Sequence, residues 1–124
     1  MKYKLEVFCS LSIDGIHSWP NCPIDEVDFL RVDHRHMFHV KAYCKVTHSD
    51  RDVEFIQLKH RIQEYLGVKY WDDKKMSHYL GAKSCEMLAI ELIERFNLTK
   101  CEVNEDNENG SVVEPEGPMR GYDE

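Results

Sequence analysis

Hydrophobic and polar positions along this chain change period in a way that marks out its elements. Tyr3, Leu5, Val7, Cys9, Leu11 and Ile13 share one parity, with Lys2, Lys4, Glu6, Ser10 and Ser12 mostly opposite. A period of two is that of a half-buried β-strand. Asp14-Gly15 opens a loop rich in breakers, in which Pro20 and Pro23 forbid regular pairing. Alternation resumes from His34 to Val46, where Phe38, Val40, Ala42, Cys44 and Val46 share a face that His34 and His36 continue. Thr47 to Asp50 reads as a turn. From Asp52 the period becomes helical: Phe55, Leu58, Ile62, Tyr65 and Leu66 predict an amphipathic helix over 52–66, ended by Gly67.

Residues 68–82 read as a polar connection. Ser84 is an N-cap candidate for a second helix, with Leu88, Ile90, Leu92, Ile93 and Phe96 on its apolar side. Leu98 to Glu105 is a short strand. Asn107-Glu108-Asn109-Gly110 has an Asn-Gly hairpin signature, and Val112-Val113 returns. The expected fold class is therefore α+β: an antiparallel four-stranded sheet with two helices on one face, over residues 1–114. An acidic, Pro/Gly-rich disordered tail is expected over 115–124. Such a sheet leaves two long edges, which strand pairing between subunits would satisfy.

Composition narrows the classes of function. The 124 residues carry 16 basic and 23 acidic side chains, a formal net charge of −7, which argues against a nucleic-acid partner held by its phosphates. A 42% hydrophobic and 31% charged chain of this length reads as one globular domain. No apolar run approaches the roughly 20 residues of a membrane span. The opening MKYKLEVF lacks the apolar block of a signal peptide. Five scattered cysteines without a C-x-x-C pair read as reduced thiols, so a cytoplasmic location is expected.

The seven histidines are the unusual feature, and His34, His36 and His39 fall within six residues. Alternate strand residues point the same way, so His34 and His36 can converge on one ion. Catalytic zinc commonly takes three protein ligands and keeps a fourth position open. His17, in the loop leaving the first strand, is the candidate third ligand. Taken alone, H-x-H equally describes solvated or core-satisfied histidines.

Read in order, the chain resembles the 6-pyruvoyl-tetrahydropterin synthase and 6-carboxytetrahydropterin synthase family of tunnelling-fold (T-fold) proteins. The family phrase F-[DS]-A-A-H is answered by Ile13-Asp14-Gly15-Ile16-His17, and H-G-H-N-Y-x-V by His34-Arg35-His36-Met37-Phe38-His39-Val40. G-M-V-x-D-F-x-x-L-K is matched by Arg51-Asp52-Val53-Glu54-Phe55-Ile56-Gln57-Leu58-Lys59. P-T-x-E-x-L-A is matched by Lys83-Ser84-Cys85-Glu86-Met87-Leu88-Ala89, and V-x-V-x-E-T by Cys101-Glu102-Val103-Asn104-Glu105-Asp106. The matches are collinear from residue 3 to about 114.

The resemblance implies zinc held by His17, His34 and His36. It implies a glutamate, Glu105, that anchors the guanidine-like edge of a pterin by two parallel hydrogen bonds. Beside Glu102, Asp106 and Glu108, Glu105 also reads as an exposed acidic residue near a hairpin. Glu86 is a second substrate-binding candidate, although the helix dipole alone favours a glutamate in a first helical turn. The family moves protons with a cysteine and an Asp-His pair, and here the sequence departs from it. Leu30 occupies the cysteine position, with Cys22 in the same loop as a substitute. The phrase L-D-H-x-x-L-N aligns with Trp71-Asp72-Asp73-Lys74-Lys75-Met76-Ser77, which puts Asp73 at the histidine position; Asp72 with His78 could rebuild the dyad.

The leading expectation is a zinc-dependent lyase like 6-carboxytetrahydropterin synthase, cleaving the side chain of 7,8-dihydroneopterin triphosphate toward deazapurines such as queuosine. Lys59, Lys74, Lys75 and Arg35 are available cations for the triphosphate. The alternatives are a non-catalytic T-fold protein that binds a pterin or purine and keeps the zinc, and an acidic interaction protein with structural histidines. The resemblance further implies a hexamer built as a dimer of trimers, with strands pairing between subunits into a barrel and active sites at subunit boundaries.

Overall fold

The alternation at the start of the chain persists through Asp14-Gly15, because these apparent breakers lie inside a long strand pair. The computed structural model describes residues 1–117. Strand β1 spans Leu5–His17 and β2 spans His34–Val46. They pair antiparallel along their whole lengths, from Leu5 opposite Val46 to His17 opposite His34. His17 therefore ends a strand instead of occupying a loop. Gly15 is required for space: the Phe38 ring lies across it, and a Cβ there would come within 2.6 Å of that ring. The proline-bearing connection that follows contains a short 3₁₀ segment, Asp25–Arg31.

Helix α1 spans Phe55–Tyr70, starting and ending later than the periodicity predicts. The Glu54 carboxylate accepts hydrogen bonds from the Ile56 and Gln57 amides, which sets the start. Gly67 does not stop the helix, because Leu58, Ile62, Leu66 and Tyr70 form a buried stripe, four residues apart, that carries through it. Helix α2 spans Cys85–Phe96 and begins where expected, with the Ser84 hydroxyl accepting from the Met87 amide at 3.1 Å. Asn97, left-handed at φ 56°, ends it.

The sheet has six strands and is mixed, which corrects the expectation of four antiparallel strands. The additional pair, β3 (Trp71–Asp72) and β4 (Ser77–Gly81), lies in the segment that reads as a polar connection. Strands this short show no period. The Asp72 carboxylate accepts from the Lys74 and Lys75 amides at 2.9 and 3.0 Å and so closes the turn between them. β4 adds parallel to β1, while β5 (Lys100–Glu105) and β6 (Asn109–Val113) extend the other side, giving the order β3-β4-β1-β2-β5-β6. The last turn is Asp106-Asn107-Glu108, with the first two left-handed at φ 59° and 60°. Asn109 and Gly110, expected in the turn, are already paired in β6.

Both helices cover one sheet face. The core joins Leu11 and Ile13 of β1, Phe38, Val40 and Ala42 of β2, Cys101 and Val103 of β5, the α1 stripe, and Leu88, Ala89 and Leu92 of α2. No disulfide occurs among the described residues. No helix among them is long and apolar enough to cross a membrane. Pro115 to Gly117 lie in neither helix nor strand; the remainder of the expected tail, 118–124, lies outside the described residues.

One polar group ties the two helices together. The Glu91 carboxylate of α2 accepts from the Tyr65 and Tyr70 hydroxyls at 2.6 and 2.5 Å and from the Lys69 and Lys83 ammonium groups at 2.7 and 3.1 Å. Burial opposes its ionisation, but these four donors outweigh burial and hold its carboxyl down at about 2. Glu91→Gln is expected to cost about 1–3 kcal/mol at neutral pH, because it breaks a half-buried network of charge-assisted hydrogen bonds. The depressed value gives the sign: the wild-type advantage is full above the ordinary value of 4.5 and is lost as pH falls through about 2. Urea unfolding of both proteins at neutral pH and near pH 3 checks this; an advantage that grew on acidification would contradict it.

Candidate metal centre

The strand register that builds the core also gathers the histidines. His17 closes β1 directly opposite His34, which opens β2, and His36 lies opposite Gly15 on the same inner face. Glu105 ends β5 opposite Phe38, so it reaches that face from the next strand. Phe38 forms the floor, with its ring edge-on to His17 at 5.0 Å and to His36 at 5.8 Å. The three imidazole centroids lie 4.6 to 5.5 Å apart, and one nitrogen from each ring lies within 4.8 Å of the others.

Hydrogen bonds on the far side of each ring fix which nitrogen is offered. His17 Nδ1 bonds the Lys83 carbonyl at 2.8 Å, and His34 Nδ1 bonds the Val32 carbonyl at 2.8 Å. A carbonyl only accepts, so both Nδ1 atoms carry the proton. His36 Nδ1 meets the Asp106 carboxylate at 2.7 Å, and the same carboxylate accepts the Met37 amide at 2.8 Å. In its neutral form each ring with this far-side bond presents the Nε2 lone pair inward, the arrangement that metal-ligating histidines commonly adopt. The Nε2 atoms of His34 and His36 are buried and have no hydrogen-bond partner. Buried nitrogens left unsatisfied in a three-histidine set fit a zinc ion.

Glu105 stands against the same nitrogens. Its Oε2 lies 3.0 Å from His17 Nε2 and its Oε1 3.4 Å from His36 Nε2. Burial disfavours the His17 cation, but the bonds to Glu105 and to the Lys83 carbonyl outweigh it and hold the ring above its ordinary value. The His17 bond in turn holds Glu105 below the usual carboxylate range. The bonds from the Met37 amide and from His36 hold Asp106 low.

His17, His34 and Glu105 line a cavity of about 490 Å³, walled by Trp19, Leu30 and the first turn of α2. Glu86 lines it too, as an exposed residue of that first turn. Cys85 also lines it, 3.8 Å from Glu105 Oε2; burial and the Glu105 charge push its thiol up to about 12, so it is a neutral thiol near pH 7.

The structure brings none of the proposed proton-transfer residues to this cavity. Cys22 is buried in the β1–β2 connection, its Sγ facing the Ile24 and Val27 carbonyls at 3.7 and 3.8 Å. Asp72 caps its own turn. His78 bonds the Asp14 carbonyl through Nδ1 at 2.9 Å and packs against Trp71. Asp73 accepts from the Trp71 indole at 2.8 Å. Sequence reasoning missed Asp106, Cys85 and the Lys83 and Val32 carbonyls. Only Asp106 leaves a signal, as a carboxylate one residue beyond the candidate Glu105.

Asp106→Asn retains a residue that tolerates left-handed backbone but removes the charge behind His36. Zinc affinity is expected to fall roughly 10-fold, at the lower end of the range for such supporting groups. Competition with a chromophoric chelator measures it, and unchanged affinity would show that His36 needs no anionic support. No protein-family model and no curated protein matches this chain.

Proposed function

We propose that the chain is a zinc-dependent lyase acting on a pterin, in the manner of 6-carboxytetrahydropterin synthase on 7,8-dihydroneopterin triphosphate, on a cytoplasmic route to deazapurines such as queuosine. The observation that carries this reading is the convergence of three imidazoles, two of which, His17 and His34, line a cavity of about 490 Å³. That volume suits a small heterocyclic molecule.

His17, His34 and His36 would hold the ion, which when bound supplies a Lewis acid that polarises a side-chain hydroxyl or carbonyl of the substrate. Glu105 offers two carboxylate oxygens to adjacent N–H donors of a pterin edge. Trp19, Leu30 and Met87 give the cavity apolar wall, which favours a flat ring and excludes water. The T-fold reading adds a barrel closed by strands from neighbouring subunits, as a hexamer. The edge strands β3 and β6, two and five residues long, are the positions where such pairing would occur.

One observation favours a second reading, a non-catalytic pterin- or purine-binding metalloprotein. Leu30 lines the cavity at the family's cysteine position, and Cys22, Asp72 and His78 are hydrogen-bonded elsewhere. Purified protein is expected to carry one zinc per chain, lost in the His34→Ala/His36→Ala double variant. Zinc-loaded protein is then given dihydroneopterin triphosphate. Product supports the lyase; binding without product supports the second reading. A folded, metal-free protein that takes up no zinc would defeat both.

A further inference from the structure

Glu105 stands nearer the histidine nitrogens than a residue serving only the substrate needs to be. Two ligands about 2.0–2.1 Å from one tetrahedral ion are themselves about 3.3–3.4 Å apart. The two carboxylate oxygens of Glu105 each stand close to that separation from one histidine nitrogen, Oε2 3.0 Å from His17 Nε2 and Oε1 3.4 Å from His36 Nε2. The longer contact is not a hydrogen bond, since His36 Nε2 has no hydrogen-bond partner. The shorter one needs a proton on His17 Nε2, although His17 Nδ1 already donates to the Lys83 carbonyl. A divalent ion that displaces that proton leaves beside it the carboxylate that touches the Nε2 atoms of His17 and His36.

We propose that Glu105 is the fourth ligand of the metal in the substrate-free protein. It closes a three-histidine, one-carboxylate site that an incoming molecule must open by displacing it. The backbone supports this. Glu105 is paired on one side with Phe38 and on the other with Asn109, so the strand end fixes where the side chain starts. The same Oε2 that faces His17 also accepts from the Cys85 thiol at 3.8 Å, a weak donor that does not compete with a cation. Displacement would free the carboxylate to receive N–H donors from a ring in the cavity, so one side chain would serve resting and bound states in turn. The inference rests on the metal reading and is independent of the pterin.

The test uses the full chain loaded with Co(II) in place of zinc, with azide as the probe and no pterin present. Wild-type protein should show the intense visible bands of four-coordinate cobalt and little response to azide. Glu105→Gln and Glu105→Ala should give weaker or shifted bands that azide changes readily, with zinc affinity at least 10-fold lower by chelator competition. Glu105→Asp keeps the charge but loses reach. It should behave like Glu105→Gln if the carboxylate binds the ion, and like wild type if it acts only through its charge. Far-UV circular dichroism establishes that each variant is folded. Equal azide responses and equal zinc affinities across the series would overturn the proposal, as would a wild-type protein that binds neither metal. A protein that passes this test yet turns over no pterin would retain the fourth ligand and lose only the lyase reading.

Discussion

The antiparallel pairing of β1 with β2 is the constraint on which the rest of the molecule depends. Its register runs unbroken from Leu5 opposite Val46 to His17 opposite His34. Side chains alternate along a strand, so a one-residue slip of β2 against β1 would turn Phe38 and Val40 outward and carry His34 and His36 with them. Core and candidate metal centre therefore share one specification. The apolar residues that bury against α1 and α2 hold the register, and the histidines at the strand ends inherit that precision. Function placed on rigid strands in this way keeps ligand geometry tighter than loops would.

What the site costs is visible in its unsatisfied atoms. A buried polar atom left without a partner is destabilising by about 1–3 kcal/mol, and both His34 Nε2 and His36 Nε2 are in that state. The fold tolerates them because every other polar atom around them is committed: each Nδ1 is bound, Asp106 is clamped by Met37, and Phe38 supports two of the rings. Departures from full satisfaction concentrate where a protein binds something. An ion that bonds those nitrogens in the folded state alone stabilises that state by mass action.

How much of this the sequence discloses depends on whether a feature has a period. His34 and His36 were legible because they continue the parity of Phe38 and Val40, and β2 lies where that parity puts it. His17 was legible as a ligand candidate but not as a strand residue, because Asp14-Gly15 resembles a turn. Only the Phe38 ring explains why a glycine sits inside a strand there. The β3–β4 hairpin was illegible since two and five residues are too few to display alternation. Gly67 misled for the opposite reason: a glycine lowers helix propensity by about 1 kcal/mol, which burial of Leu66 and Tyr70 on either side outweighs. The carbonyls of Val32 and Lys83 belong to the backbone, so no residue type announces them.

Charge bears on which ligand the cavity can accept. Lys83 is the one lysine or arginine among the described residues lining it, and its ammonium group is held by Glu91 at 3.1 Å. Arg35, a candidate for phosphate from the sequence, is bound to the Asp14 carboxylate at 2.8 Å instead. Glu86 and Glu105 add negative charge to the same wall. The cavity of a single chain thus offers a carboxylate, an apolar wall and a histidine cluster that could hold a metal ion, but almost no free cation for a triphosphate. Anions held at low cost need paired donors or positive charge nearby. A ligand carrying a triphosphate would need its charge met by cations from outside this cavity wall, a demand that the histidine cluster itself does not make.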